Sequence, residues 1–432
     1  MGKFSAEILE KGYKIPLSDN ISILNDEVEL KNKTIPNRLV IQPMEGCDGT
    51  KDGAIDELTH RRYERFAKSG AGLLWFEAVA IVNEARANPR QLYLCDETLD
   101  SFKREIEHIR ETALKTTGIN PVIIMQSTHS GRYSKPNGTP EPLIALNKPP
   151  FEKDKPVDKS RIVTDDYLKS LEEKYGKSAY LAEKAGFDGV DIKCCHGYLM
   201  SELMGAHVRE GEYGGSFENR TRLFFNAIEN AKANVGEKFI VTSRMNAYDG
   251  FLYPYGFGVS EEMGITPDLR EPLKVVEILT KKYGFELLDI TIGNPYVNPH
   301  VNRPFNQGPY ISPEQPLYGV ERMMNCVGEI QKAYPDLKVV GSGFSYMGKE
   351  GENLAAGAIE NGICTLAGFG RQAFAYPDFA KDIMSGGMDE KKVCLACGKC
   401  SELMRAGTVA GCVIRDSETY LPYYKKFVKK EG

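Results

Sequence analysis

No stretch of this 432-residue chain approaches the ~18 consecutive apolar residues that a membrane-spanning helix needs, so no helical span is expected. Basic blocks are missing too. The 55 Lys and Arg stand against 60 Asp and Glu, for a formal charge of -5, and no patch supports binding to nucleic acid or to an acidic membrane surface. The opening residues MGKFSAEILEKGYK carry no apolar signal-peptide core, and the chain reads as cytoplasmic. It has no low-complexity tract and no repeat with a clear period. No Gly-x-Gly-x-x-Gly turn follows the first strand candidate, which leaves a Rossmann dinucleotide unit unsupported.

What is present is a globular composition, 41% hydrophobic and 27% charged. The length suits one large core with an appendage, or two to three ordinary domains. Short β-rich apolar runs recur at 38–44, 72–80, 121–126, 188–193, 239–245, 286–292, 338–343 and 363–368. They are nearly continuous in apolar residues, as parallel strands covered on both faces are. Helix-like stretches separate them, with Ser101 and Asp165 as N-cap candidates and Gly186 as a C-cap candidate. Eight strand-then-helix units predict a (β/α)8 TIM barrel, with a small hairpin within about 21–37 closing its floor.

Such a barrel builds its active site at the C-terminal ends of its strands. The residues there include Pro43-Met44-Glu45, Glu77-Ala78, Gln126 with His129, Lys193 with His196 and Tyr198, Arg244, and Thr291 with Asn294. The last two strands end in Gly-Ser-Gly-Phe (341–344) and Gly-Phe-Gly-Arg (368–371). Paired glycine turns there suit a phosphate, whose charge Arg371 can meet, although ordinary turn glycines read the same way. A tyrosine such as Tyr198 can deliver a proton, and Lys193 or His196 can hydrogen-bond a carbonyl. The equally open reading is a capped strand with satisfied polar groups. Long segments at 127–162, 246–268 and 293–317 suggest walls of a substrate site.

Several strings together resemble the old yellow enzyme family: Asn37-Arg38 with Pro43-Met44, Gln126-Ser-Thr-His-Ser-Gly-Arg132, Ala185-Gly-Phe-Asp-Gly-Val-Asp191, His196-Gly-Tyr-Leu199 and Tyr213-Gly-Gly-Ser-Phe-Glu-Asn-Arg220. They run in order through most of the chain, and the last is highly specific. The resemblance implies FMN as cofactor and NAD(P)H as transient electron donor. It implies that Pro43, Met44 and Ala78 meet the isoalloxazine, that Gln126 reads the pyrimidine edge and that Arg244 lies beside N1. Gly343, Phe344, Gly370 and Arg371 would hold the phosphate, and Tyr198 would be the proton donor in reduction of an activated alkene. Two positions depart from the family pattern. The usual carbonyl-binding pair is here Lys193-x-x-His196, whose extra charge could favour an anionic group such as a carboxylate. Glu45 replaces a small polar residue or cysteine beside the flavin, where a carboxylate must be turned away or paired.

Four of the ten cysteines crowd the C-terminus as Cys394-x2-Cys397-x2-Cys400-x11-Cys412. Three closely spaced cysteines and a distant fourth fit a [4Fe–4S] cluster better than a zinc ribbon, with zinc and free thiols as alternatives. The branch of the family holding the 2,4-dienoyl-CoA and enoate reductases carries a similar motif with one more residue in its middle spacing. The chain divides accordingly into a barrel at 1–388 and a cysteine-rich segment at 389–432. The twenty residues after Cys412 leave no room for the FAD- and NAD(P)H-binding half of that branch, so a separate electron-donor protein is a possible partner. His300, in His300-Val-Asn-Arg303-Pro304, only loosely matches a substrate-contacting histidine of those relatives.

The leading expectation is an FMN-dependent ene-reductase. An amine dehydrogenase resembling trimethylamine dehydrogenase is the alternative, needing an aromatic cage for which Tyr253, Tyr255 and Tyr296 are candidates. A Schiff-base lyase using Lys193 is more remote, as is a flavin and iron–sulfur electron carrier without turnover.

Overall fold

A computed structural model describes residues 2–152, 155–304 and 310–431. Residues 153–154 and 305–309 of the two long segments 127–162 and 293–317 lie outside the described residues.

The barrel strands are β1 (Leu39–Ile41), β2 (Leu73–Ala80), β3 (Val122–Thr128), β4 (Gly189–Ile192), β5 (Ile240–Thr242 continuing as Arg244–Tyr248), β6 (Leu287–Ile292), β7 (Lys338–Gly341) and β8 (Leu366–Phe369). Every pairing among them is parallel. The first half of β5 pairs with β4 and the second half with β6, and β8 pairs with β1. The nine strand segments are therefore eight strands in a closed ring, broken only at Ser243. That residue bridges the break, since its hydroxyl donates to Ile192 O at 2.7 Å and its carbonyl accepts from Asp289 N at 3.0 Å. A helix follows each strand, from Glu57–Ala67 after β1 to Arg371–Ala375 after β8.

Nearly every strand residue is buried, whichever face it points to. Inside the ring, Val40, Leu73, Trp75, Val122, Ile124, Leu287, Val340 and Leu366 fill the lower barrel. Val28, Leu30 and Ile35 of the antiparallel pair Val28–Leu30 and Lys33–Ile35 join them as the expected floor hairpin. Burying each such side chain contributes about 1.5–3 kcal/mol, which is why these runs admit so few polar residues.

Two expected caps shift by a few residues. Thr164, not Asp165, caps the helix Asp165–Ala185: its backbone is extended and its hydroxyl accepts from Tyr167 N at 3.1 Å, while Asp165 pairs with Arg209 at 2.7 Å. The helix Leu99–Thr117 begins after Thr98, so Ser101 lies in its first turn and donates to Thr98 O. Gly186 closes the helix before β4 with a φ of 93°.

Residues 389–431 lie across the barrel mouth. Leu403, Val409, Val413, Tyr420 and Tyr424 form a small core of their own. The buried Asp416 accepts from Arg61 at 2.8 and 2.9 Å and pairs with Arg65. Ala410 N donates to Gly46 O at 2.7 Å, and Arg405 donates to Pro295 O at 3.0 Å.

Candidate active site and cysteine cavity

The strand ends line a cavity that is open to solvent. Pro43, Met44, Glu45, Gln126, Lys193, His196, Tyr198, Arg244, Gly343, Gly370 and Arg371 all line it. Residues from seven of the eight strand ends, some more than 300 positions apart in the chain, thus meet in one space. Two expected members do not line it. Ala78 is fully buried, with its carbonyl accepting from Gln91, and the Phe344 ring packs on Phe369.

Buried carboxylates hold the floor of the cavity. Asp191 accepts from Gln126 at 2.7 Å, from Trp75 at 2.8 Å and from Arg244 N at 2.7 Å. Tying Gln126 through Nε2 leaves its carbonyl oxygen as the end for a ligand. Asp289 pairs with Arg244 Nε at 3.0 Å and accepts from Gln42, which also donates to Ser342. Burial pushes the Asp191 carboxyl up to about 6 and that of Asp289 up to about 7, in the latter case against the pull of Arg244.

At the far side of the cavity the backbone is shaped for close approach. Gly343 has a φ of 101°, and a Cβ on Gly370 would sit 3.0 Å from Met44 Sδ. Arg371 is buried and its Nη1 finds no hydrogen-bond partner among the described residues. An unpaired guanidinium nitrogen beside a glycine turn fits the phosphate of FMN.

After β4, His196 and Gly197 both take left-handed conformations, with φ of 65° and 71°. This turn brings Lys193, His196 and Tyr198 to one side of the cavity. The Tyr198 hydroxyl donates to Glu45 Oε1 at 3.0 Å and lies 3.0 Å from the Tyr296 hydroxyl. Lys193 Nζ is 3.4 Å from the same Glu45 oxygen and 3.8 Å from the centre of the Tyr198 ring. Glu45 is thus the hub of this corner, paired rather than turned away. Burial, with Glu45 next, holds the Tyr198 phenol well above its ordinary range. Burial, helped by Arg244 and Lys193, holds His196 neutral, and its Nε2 is buried without a partner among the described residues.

Sequence reasoning overlooked several residues of the cavity wall. Gln42 was visible as the lone amide in an apolar run. Met404 and Ala410 of the C-terminal segment gave no signal, and neither did Tyr133, which does not line the cavity but stacks on Tyr296 at 3.9 Å. His129 is spent on structure, accepting from Gly131 N and bonding Tyr167 at 2.9 Å. His300 bonds Tyr310 at 2.6 Å and does not line the cavity. Of the cage candidates only Tyr296 lines it; Tyr253 is exposed, its ring 4.8 Å from that of His207 and tilted to it.

A second, small cavity adjoins the first, and Cys394, Cys397, Cys400 and Cys412 all line it. Arg371, Phe374 and Cys400 face both. Cys394 Sγ accepts from Ala396 N at 3.4 Å and Cys412 Sγ from Arg415 N at 3.3 Å, bonds that favour sulfur carrying charge. Among the described residues no three of these sulfurs lie within 4.8 Å of one another.

The sequence matches the NADH:flavin oxidoreductase / NADH oxidase family over residues 26–263. The chain belongs to this family. Among curated relatives it is 26% identical over 410 residues to a cinnamate reductase of Clostridium sporogenes, covering 92% of this chain and 58% of the relative. It is 30% identical over 272 residues to an NADPH dehydrogenase of Bacillus pumilus, covering 61% and 71%. The fold superposes on a 2-naphthoyl-CoA reductase with a TM-score of 0.74 at 18% identity, covering 91% of this chain and 57% of that one. The chain therefore spans little more than half the length of two of these three proteins. Its (β/α)8 architecture is that of the old yellow enzyme family, and no helix among the described residues is long and apolar enough to cross a membrane.

Proposed function

We propose that this chain is an FMN-dependent ene-reductase whose substrate carries a C=C bond conjugated to an uncharged carbonyl. The observation that carries the proposal is the placement of Tyr198, Lys193 and His196 on one strand end, facing the same cavity as Gln126, Arg244 and Arg371. Arg371 and the glycine turns would hold the phosphate of FMN, Gln126 and Arg244 its ring edge, and Pro43 and Met44 its face. When bound, FMN supplies hydride to the β-carbon of the alkene.

The chain's own residues supply the rest. His196 and Lys193 offer hydrogen bonds to the carbonyl oxygen, which draws electron density away from the alkene. Tyr198 gives its proton to the α-carbon. A buried phenol held well above its ordinary pKa keeps that proton until a stronger base, the carbanion-like α-carbon, forms beside it. The Lys193 ammonium, 3.8 Å from the ring, then stabilises the phenolate left behind.

Glu45 sharpens the substrate class. Since it pairs with Lys193 at 3.4 Å, it offsets the charge that Lys193 alone would offer a carboxylate. Thioesters, esters and enones suit this corner better than free acids, contrary to the expectation from Lys193 alone. The same pairing disfavours the amine dehydrogenase reading: Glu45 and the Tyr133–Tyr296–Tyr198 cluster could attract a cation, but Lys193 already occupies that charge. A lyase using Lys193 is likewise disfavoured by its pairing within a cavity shaped for flavin. The cysteine cavity, separated from the first by Arg371 and Phe374, would hold a [4Fe–4S] cluster fed by NAD(P)H or a protein donor.

The test is an anaerobic preparation assayed for flavin and iron, followed by reduction of matched cinnamate, cinnamate ester and cinnamoyl thioester. The ester and thioester should turn over faster than the acid, and Glu45→Gln should shift that ratio toward the acid by about tenfold, the scale of one partly screened charge pair. A wild-type preference for the acid would reject the assignment to Glu45, and no reduction of any of the three would reject the ene-reductase reading.

A further inference from the structure

Away from the cavity, two neighbouring helices on the barrel exterior bring together residues that the proposed chemistry does not use. His60 and Glu64 sit one turn apart on the helix Glu57–Ala67, and His108 faces them from Leu99–Thr117. One ligand atom from each lies within 4.8 Å of the other two. The two imidazole rings are 4.5 Å apart, centre to centre. Glu105, one turn before His108, bonds His60 Nδ1 through Oε2 at 2.7 Å.

Glu105 distinguishes this cluster from an ordinary polar surface. Its side chain is 4% exposed, and its Oε1 is buried with no hydrogen-bond partner among the described residues. A buried carboxylate with half its acceptors unpaired is costly, and a nearby cation would offset that cost. A carboxylate bonded to one imidazole nitrogen also fixes the tautomer and presents the other nitrogen to a metal, the arrangement found behind most metal-binding histidines. His60, Glu105 and His108 line an open cavity of about 850 Å³, and the His60 side chain is 45% exposed, so an ion can enter.

We propose that His60, His108 and Glu64, with Glu105 bonded behind His60, form a site for one transition-metal dication of the zinc class. Two imidazoles and a carboxylate suit zinc, cobalt or nickel and not calcium or magnesium, which prefer oxygen ligands. Binding draws the three ligand atoms inward by about 1 Å to reach tetrahedral spacing, a movement available to side chains on the surface. It displaces Lys68 from Glu64 and loosens the 3.3 Å contact between Thr112 and His108. Both are weak partly exposed contacts. The ion would clamp the helix after β1 to the helix after β2. The first of these also carries Arg61 and Arg65, the anchors of Asp416, so the clamp stiffens the helix on which the cysteine segment is seated.

The test is calorimetric titration of zinc chloride into the flavin- and iron-loaded protein, kept anaerobic, with the unfolding midpoint measured in parallel. We expect one site per chain that is lost in His60→Gln and in His108→Gln, and a midpoint raised by zinc in the parent protein alone. Glu105→Gln should bind about 10–100-fold more weakly; should that buried substitution fail to fold, Glu64→Gln takes its place. Zinc uptake unchanged in both histidine variants would place the metal elsewhere on the chain and overturn the proposal. So would the absence of binding at a large excess of zinc.

Discussion

The two adjoining cavities share Arg371, Phe374 and Cys400 but are assembled in opposite ways. The larger one draws its walls from residues between Gln42 and Ala410, most of them held by a barrel strand or its following turn and four by the C-terminal segment. Its floor is held by the Asp191 and Asp289 networks, while His196 Nε2 and Arg371 Nη1 are left without a partner among the described residues. Apart from Arg371 and Phe374, the smaller cavity comes from one local stretch, Cys394 to Arg415. That stretch has a small core and is tethered through Asp416, Ala410 and Arg405. The difference shows how a rigid scaffold can preorganise one site while a neighbouring one depends on what it binds.

Removing the metal ligand should separate the two most sharply. Cys397→Ser is expected to abolish iron content while flavin remains bound, as iron analysis beside the visible spectrum would show; full iron retention would refute the ligand assignment. Within the larger cavity, Tyr198→Phe should slow alkene reduction by about 10²-fold or more, the usual share of a general acid. Stopped-flow oxidation of NAD(P)H by the flavin should stay nearly unchanged, and equal loss in both half-reactions would contradict the proton-donor role.

A pH experiment probes the scaffold itself. Burial pushes His129 down to about 3, so the unfolded chain binds its proton below about 6.5 while the folded chain does not. Stability should therefore fall as pH drops from 6.5 toward 3, by about 1.4 kcal/mol per pH unit from this group. Denaturant unfolding across that interval should show a shallower slope in His129→Gln. The smallest effect is expected for Asp416→Ala. Loss of its partly exposed arginine pairs should weaken docking of the cysteine segment by on the order of 1 kcal/mol. Limited proteolysis would then cut near 389–431 first while leaving the barrel intact; simultaneous loss of both would show that the regions are not separable.

The eight strands were legible because burial on both faces demands unbroken apolar runs, and all eight runs coincide with strands to within a few residues. The glycine turns and the Lys193-x-x-His196-x-Tyr198 spacing pointed to the cavity for a similarly local reason. Cap positions were less legible: a threonine and an aspartate in succession at 164–165 can each cap, and only the pairing of Asp165 with Arg209 decides between them. His129 stood beside His196 as a polar residue near a strand end, and His300 as a looser candidate in the loop after β6. Both differ from His196 in that a neighbour, Tyr167 or Tyr310, engages the ring, and sequence spacing carries no trace of that.

Glu45 shows the division most plainly. The sequence by itself determined that a carboxylate stands where the family pattern has a smaller group, that a lysine ends β4, and that four cysteines recur at cluster-like intervals. Only the tertiary structure decided that Glu45 and Lys193, 148 positions apart, offset one another's charge, and that Met404 and Ala410 close the cavity from the C-terminal side. Local spacing records which groups a turn can carry. Which charge meets which depends on barrel closure, and that closure is a property of all eight strands at once.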